Sequence, residues 1–224
     1  MKYLFLALFA AASVLHLFFT WKDQEKHRAY TKPFLLFFLL LFYLTASGHI
    51  MISLALALFT SWLGDVLLIP RNEKCFALGG LSFLAAHIFL IWVYIHRIEI
   101  DGISWLILIL AALGYLVIGT AVMIAIRHNT PKLLLGPMFF YLIANSIMNV
   151  SALRQLLFLR SPGAAVSFIG AVLFYASDCL LFLVRYHANR SLIYKRHFSV
   201  MLTYLMGELL IVFGNLMVEA QLFG

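Results

Sequence analysis

The chain has 224 residues, of which 64% are hydrophobic and only 11% charged. Its mean hydropathy is +1.01. A soluble domain carries about 45–50% apolar and about 25% charged residues, so a soluble globular enzyme is excluded. Intrinsic disorder is excluded too, because it needs low hydrophobicity and high charge. What remains is an all-α, polytopic membrane helical bundle with no soluble domain. The net charge is +7, from 16 basic against 9 acidic side chains. In a membrane protein such an excess reports topology. No basic run is interleaved with aromatics, so nucleic acid is not an expected partner, and no protein partner is evident. The two cysteines, Cys75 and Cys179, repeat no spacing, which argues against a disulfide framework or a thiolate metal site.

A helix needs about 20 apolar residues to cross a hydrocarbon core of roughly 30 Å. The first candidate span covers residues 3–21. Ala10-Ala11-Ala12 lies inside its apolar run rather than before a polar start, so it reads as a span and not as a removed signal. The second, 33–45, is short, and it could fuse with the third, 50–69, around Ser47-Gly48-His49. The remaining candidates are 76–95, 103–126, 133–150, 164–184 and 198–218, all within one integral membrane domain spanning 1–224.

Loop charges choose between eight spans and seven. With eight, the loops 22–32, 70–75, 127–132 and 185–197 fall on one side and carry 12 Lys and Arg, against 4 on the other. With spans two and three fused the split is 9 to 7. The positive-inside rule therefore favours eight spans, with both termini outside the cytoplasm. The expected location is a bacterial inner membrane.

An ionisable side chain within a span is costly and usually faces a cavity or a partner. Such residues are few here: Asp65, Asp178 and Glu208, with His87 as a fourth and Lys32 at the mouth of span two. Asp65 sits in Gly64-Asp65-Val66-Leu67-Leu68 and Asp178 in Ser177-Asp178-Cys179-Leu180-Leu181. Both spans run toward the cytoplasm in this topology, so both aspartates are expected in the cytoplasmic half, with Lys32, Tyr204 and Glu208 converging there. A structural ion pair or an interfacial cap is the bland alternative. Matched depth favours a functional cavity, with the two carboxyls within about 10 Å as for carboxylates sharing one bond.

Tyr141, Asn145 and Asn149 follow one another at four-residue steps and so share a helix face. Tyr204, Glu208 and Asn215 share another. For Asn149 and Asn215, bonding between packed helices is the better reading. A zinc hydrolase needs three or so ligands on facing helices. His87 has no His or Asp four residues away, and His16, His49 and His96 are scattered near the membrane edges. No metal or other cofactor is therefore expected. Ser177 points about 100° away from Asp178 on a helix, so the two are not a catalytic dyad. There is no G-x-S-x-G pattern, P-loop or dinucleotide fingerprint.

Taken in order, several runs resemble the YhhN-like family of small multipass membrane proteins. They are Lys32-Pro33, Gly64-Asp65-x-Leu-Leu, Leu78-Gly79-Gly80-Leu81-Ser82-Phe83-Leu84-Ala85-Ala86-His87, Pro137-x-x-x-Tyr141, Gly170-Ala171-Val172-Leu173-Phe174-x-x-Ser177-Asp178, and Tyr204. Each is weak alone, and the ordered set covers nearly the whole chain. The family pattern tends to place an amide after the last-span tyrosine, where this chain has Glu208. The resemblance implies a lysoplasmalogenase-like ether hydrolase acting on a lysophospholipid within the bilayer. Such enzymes cleave the vinyl ether bond to a fatty aldehyde and a glycerophospho-ethanolamine or -choline.

That chemistry suits two carboxylates. One acid protonates the β-carbon of the vinyl ether, and a second group stabilises the oxocarbenium ion or activates water. Asp65 and Asp178 are the expected catalytic pair, in either order of roles. Lys32, Tyr141, Asn145, Ser177, Tyr204, Glu208 and His87 are expected to bind or position the substrate. Lys32 and loop arginines such as Arg71 would hold the phosphate. Two rival readings are a proton-coupled transporter or lipid-binding protein and a metal-dependent ceramidase-like hydrolase. The lack of an evident inverted repeat argues against the first, and the histidine count against the second.

Overall fold

The structure is a computed structural model, and it describes residues 1–70, 72–96, 105–189 and 191–223. Arg71 and the expected start of span five lie outside these residues. Among the described residues there are eight helices and no strand. They are α1 (Lys2–Trp21), α2 (Glu25–Ala46), α3 (Ile52–Leu67), α4 (Glu73–Ile95), α5 (Trp105–Ile126), α6 (Lys132–Leu159), α7 (Pro162–Tyr186) and α8 (His197–Phe223). Seven are long and apolar enough to cross a membrane, and α3 is shorter, with 16 residues. The protein is an integral membrane helical bundle.

Two helix lengths depart from the hydropathy of the sequence. Helix α2 has 22 residues, because it begins in the polar run at Glu25 rather than at Pro33. At about 1.5 Å per residue it spans roughly 33 Å. Hydropathy misses its first two turns because their side chains are charged, although nothing in them opposes helix formation. Helix α6 likewise continues through Ser151, Arg154 and Gln155 to Leu159. The chain is extended at Ser47 and Met51, so α2 and α3 are separate helices.

The chain divides into two compact units. The first comprises Met1–Val93 with Glu219–Gly224. In it α1 packs on α2, and α2 on α3. Glu219 closes the α2–α3 junction: one carboxylate oxygen accepts from the His49 N–H at 2.6 Å and the other from the Ser47 hydroxyl at 2.7 Å. Small residues let α4 approach α3. A Cβ at Gly64 would come 2.7 Å from the Phe83 ring, and one at Gly79 would come 2.9 Å from Leu68. The Ser82 hydroxyl donates to the Thr60 carbonyl at 2.7 Å.

The second unit, Tyr94–Val218, is built around α6 and α7. Arg160 turns the chain in the left-handed region with φ 48°. Ser161 then caps α7, its hydroxyl accepting from the Ala164 N–H at 3.2 Å, and Pro162 stands at the first helical position, where no N–H is needed. Helices α7 and α8 meet backbone to backbone through four glycines. A Cβ at Gly170 would lie 2.7 Å from the Gly207 carbonyl oxygen, and Gly163 and Gly214 meet in the same way. These pairs, seven residues apart on each helix, fix an antiparallel register. Lipid offers no hydrophobic gain for helix association, so such close backbone contact supplies the dispersion energy instead.

Candidate functional site

In the first unit the polar centre is the pair of Lys32 and Asp65. The ammonium of Lys32 lies 3.1 Å from Asp65 Oδ1, and the two side chains are 14% and 3% exposed. Lys32 ends the charged run of α2, and Pro33 follows it directly. The Trp62 indole N–H donates to the Pro33 carbonyl at 2.8 Å, which pins α3 against α2 one turn from Asp65. Gly64 brings Phe83 of α4 against the backbone beside the same aspartate. His87, fully buried, lies one turn beyond Phe83 and donates through Nδ1 to the Phe83 carbonyl at 2.7 Å. The runs around Gly64-Asp65 and Gly79…His87 thus interlock physically.

In the second unit the centre is Asp178. Its Oδ2 accepts from the Tyr141 hydroxyl and from the Asn145 amide, each at 2.7 Å. Asn145 is held in turn by Asn149, whose amide donates to the Asn145 side-chain and backbone oxygens at 3.0 Å. Asp178 is 5% exposed, Tyr141 7%, and both asparagines are fully buried. Phe182, one turn after Asp178, packs its ring 5.7 Å from that of Tyr141. Phe174, one turn before, packs 5.5 Å from Tyr204. Ser177 is buried beside Asp178 on α7.

The α7–α8 register also places the last-helix residues. Gly170 faces Gly207, so Glu208 stands at the level of Gly170. That is eight residues from Asp178, about 12 Å along α7. Glu208 is buried and lies within electrostatic reach of both Tyr141 and Tyr94.

The structure therefore brings Lys32 to Asp65 in one unit and Tyr141 and Asn145 to Asp178 in the other. It places Tyr204 and Glu208 on the helix that faces α7. Two buried features have no counterpart in the sequence reading. His16 of α1 is fully buried, with Nδ1 2.8 Å from the Thr31 hydroxyl. Glu219 forms the clamp on Ser47 and His49. An i, i+4 rule within one helix cannot find either, because the partners stand on different helices.

Among the described residues no group of three or more His, Cys, Asp or Glu is placed to hold a metal ion. Among the described residues, Asp65 against the Lys32 ammonium and Asp178 against Tyr141 and Asn145 are two polar centres. Comparison with curated proteins and with solved structures gave no match. The YhhN family model matches residues 27–215, a stretch that holds every one of the centres just described, and the chain belongs to the YhhN family.

Proposed function

We propose that the protein is a lysoplasmalogenase-like membrane hydrolase that cleaves the vinyl ether bond of a lysophospholipid. Membership of the YhhN family and a helical membrane bundle are consistent with this class of reaction. The observation that carries the reading is the presence of two buried carboxyls, one in each unit. Asp65 lies 3.1 Å from the Lys32 ammonium. Asp178 faces the Tyr141 hydroxyl and the Asn145 amide, both on Oδ2.

In this reading Asp178 gives its proton to the β-carbon of the vinyl ether. The α-carbon becomes an oxocarbenium ion. Asp65 is the second carboxyl proposed for the reaction. Water adds to the α-carbon and loses a proton that restores Asp178. The hemiacetal then breaks its bond to the glycerol oxygen, which takes a proton as it leaves. The products are a fatty aldehyde and a glycerophospho-alcohol, and one water is consumed. Glycosidases handle an oxocarbenium ion with two carboxyls. Tyr141 and Asn145 position Asp178, and Tyr204, Glu208 and Ser177 shape its buried surroundings. The loop charges support an orientation with both termini outside the cytoplasm, in a bacterial inner membrane, and the lipid headgroup toward the cytoplasm.

The test is incubation of the purified protein in detergent with lysoplasmalogen, followed by analysis for free aldehyde. Aldehyde released without any membrane gradient supports the hydrolase. Gradient-dependent movement of an intact lipid, with no aldehyde, would establish the transporter reading instead.

A further inference from the structure

We propose that the second unit carries a hydrated polar track along α6, running from Asp178 to Gln155, that holds a chain of water molecules. Its use as the water supply for hydrolysis rests on the function proposed above. The ligand class is water itself, the co-substrate of that reaction.

The track begins at the Asp178–Asn145–Asn149 relay, which is continuous by hydrogen bonds. Beyond it, the Asn149 Oδ1 atom is fully buried and meets no hydrogen-bond donor among the described residues. Gln155 is 1% exposed, and neither its amide oxygen nor its amide nitrogen has a partner among the described residues. The Asn215 Oδ1 atom, on a side chain 5% exposed, is in the same position. A single unsatisfied amide atom is unusual in a buried core. Four such atoms on three residues of one unit, the first of them on the asparagine that follows Asn145 in the relay, point to ordered water, which takes two to four polar partners per molecule.

Asn149 and Gln155 stand on the same helix, six residues or about 9 Å apart along its axis. Tyr141, Asn145, Met148, Ala152 and Gln155 are all buried on α6, with alternating steps of four and three residues, so they lie on one face. From Tyr141 to Gln155 is fourteen residues, about 21 Å along the axis. Ser167, near the start of α7, accepts from the Asn215 amide at 3.1 Å and shares a 3.0 Å hydrogen bond with the Tyr94 hydroxyl. Gln155 stands near the end of α6 and Ser167 near the start of α7, at the shared α6–α7 turn. Both residues are therefore close to the same end of the unit. Glu208, at the level of Gly170, falls between that end and Asp178. Polar groups thus recur from the α6–α7 turn to the aspartate.

Hydroxyl-radical footprinting of the whole protein in detergent tests this, because radicals formed from bound water label the side chains beside it. Met148 and Tyr94, both fully buried, are the reporters. In the unmodified protein both should label during a brief pulse. Gln155→Leu and Asn149→Leu should reduce that labelling several-fold, while exposed Met1 labels as before. Asn149→Ser, which keeps a hydroxyl and leaves room for water, should restore it. If a leucine variant fails to fold, the unmodified protein and Gln155→Met still give the reading. Met148 and Tyr94 that stay unlabelled, or that label equally in the leucine variants, overturn the track. Aldehyde release read alongside should show kcat reduced several-fold in Asn149→Leu with KM held. Absence of aldehyde from the unmodified protein would refute the hydrolase, whereas the footprint would still decide the hydration.

Discussion

Lys32 reaches down from the charged first turns of α2 to place its ammonium 3.1 Å from the carboxylate of Asp65. The pair is largely withdrawn from solvent, and Pro33 and Trp62 lock the two helices together beside it. In the second unit the Asp178 Oδ2 atom is held by a tyrosine and an asparagine.

The first prediction concerns that ion pair. Removing one partner of a buried pair leaves an uncompensated charge, and the loss runs toward about 3 kcal/mol, the lower end of the buried range, because Lys32 keeps a partly open side chain. Lys32→Met should lower the unfolding temperature in detergent. Lys32→Met combined with Asp65→Asn should recover part of that loss, since no charge is then stranded. A double variant no more stable than Lys32→Met alone would show that the pair is not coupled.

The second prediction concerns the glycines of α7 and α8. A side chain at Gly170 meets the Gly207 carbonyl and the Ile211 backbone, neither of which can move aside cheaply. Gly170→Val should abolish recovery of folded monodisperse protein, and Gly170→Ala should lower its unfolding temperature. Gly80→Ala is the control, because a Cβ there meets nothing within 4 Å. Equal stability of the Gly170 and Gly80 alanine variants would remove the close-packing account.

Much of this was legible in the sequence. The number and order of the helices follow from apolar runs punctuated by charged loops, and the family follows from ordered motifs. The two aspartates stand out because carboxyls are expensive within a span. The start of α2 was not legible from hydropathy, since its first turns are polar yet helical. Tyr141 and Asn145 were legible as a shared face, but their common acceptor, Asp178, stands on another helix. The glycines at 163, 170, 207 and 214 carried a readable signal in their matched seven-residue spacing. His16 and Glu219 carried none, because one is tied to Thr31 and the other to Ser47 and His49 across helix pairs.

The third prediction concerns orientation. By the positive-inside rule, the 12-to-4 division of Lys and Arg predicts a C-terminus outside the cytoplasm. A C-terminal fluorescent reporter that matures only in the cytoplasm should stay dark, while a periplasmically active reporter at the same point should be on. A bright cytoplasmic signal would reverse the orientation and move the proposed headgroup side with it.

The last prediction concerns catalysis. Asp178→Asn keeps the volume of the side chain and most of its hydrogen bonding, but it cannot give an acidic proton. General acid–base catalysis contributes about 10²–10⁴-fold, so turnover should fall by at least the lower figure. Asp65→Asn tests the second carboxyl proposed for the reaction and should cost a comparable factor. Both variants should retain lysolipid binding, because the chain is still buried in the bundle. Tyr141→Phe deletes one of the two donors to Asp178 Oδ2 and leaves Asn145 in place, so its effect on kcat should be smaller. Glu208→Gln should be milder still, since Glu208 stands about 12 Å along the helix from the proton donor. Carbon protonation is the slow step in this mechanism, so the rate in D₂O should fall by more than matched viscosity explains. Chelators should leave aldehyde release intact, whereas loss of activity restored by zinc would favour the ceramidase-like reading. Near-normal aldehyde release from both single Asn variants would make the two carboxyls structural and transfer the search for the acid to Glu208, Tyr141 and His87.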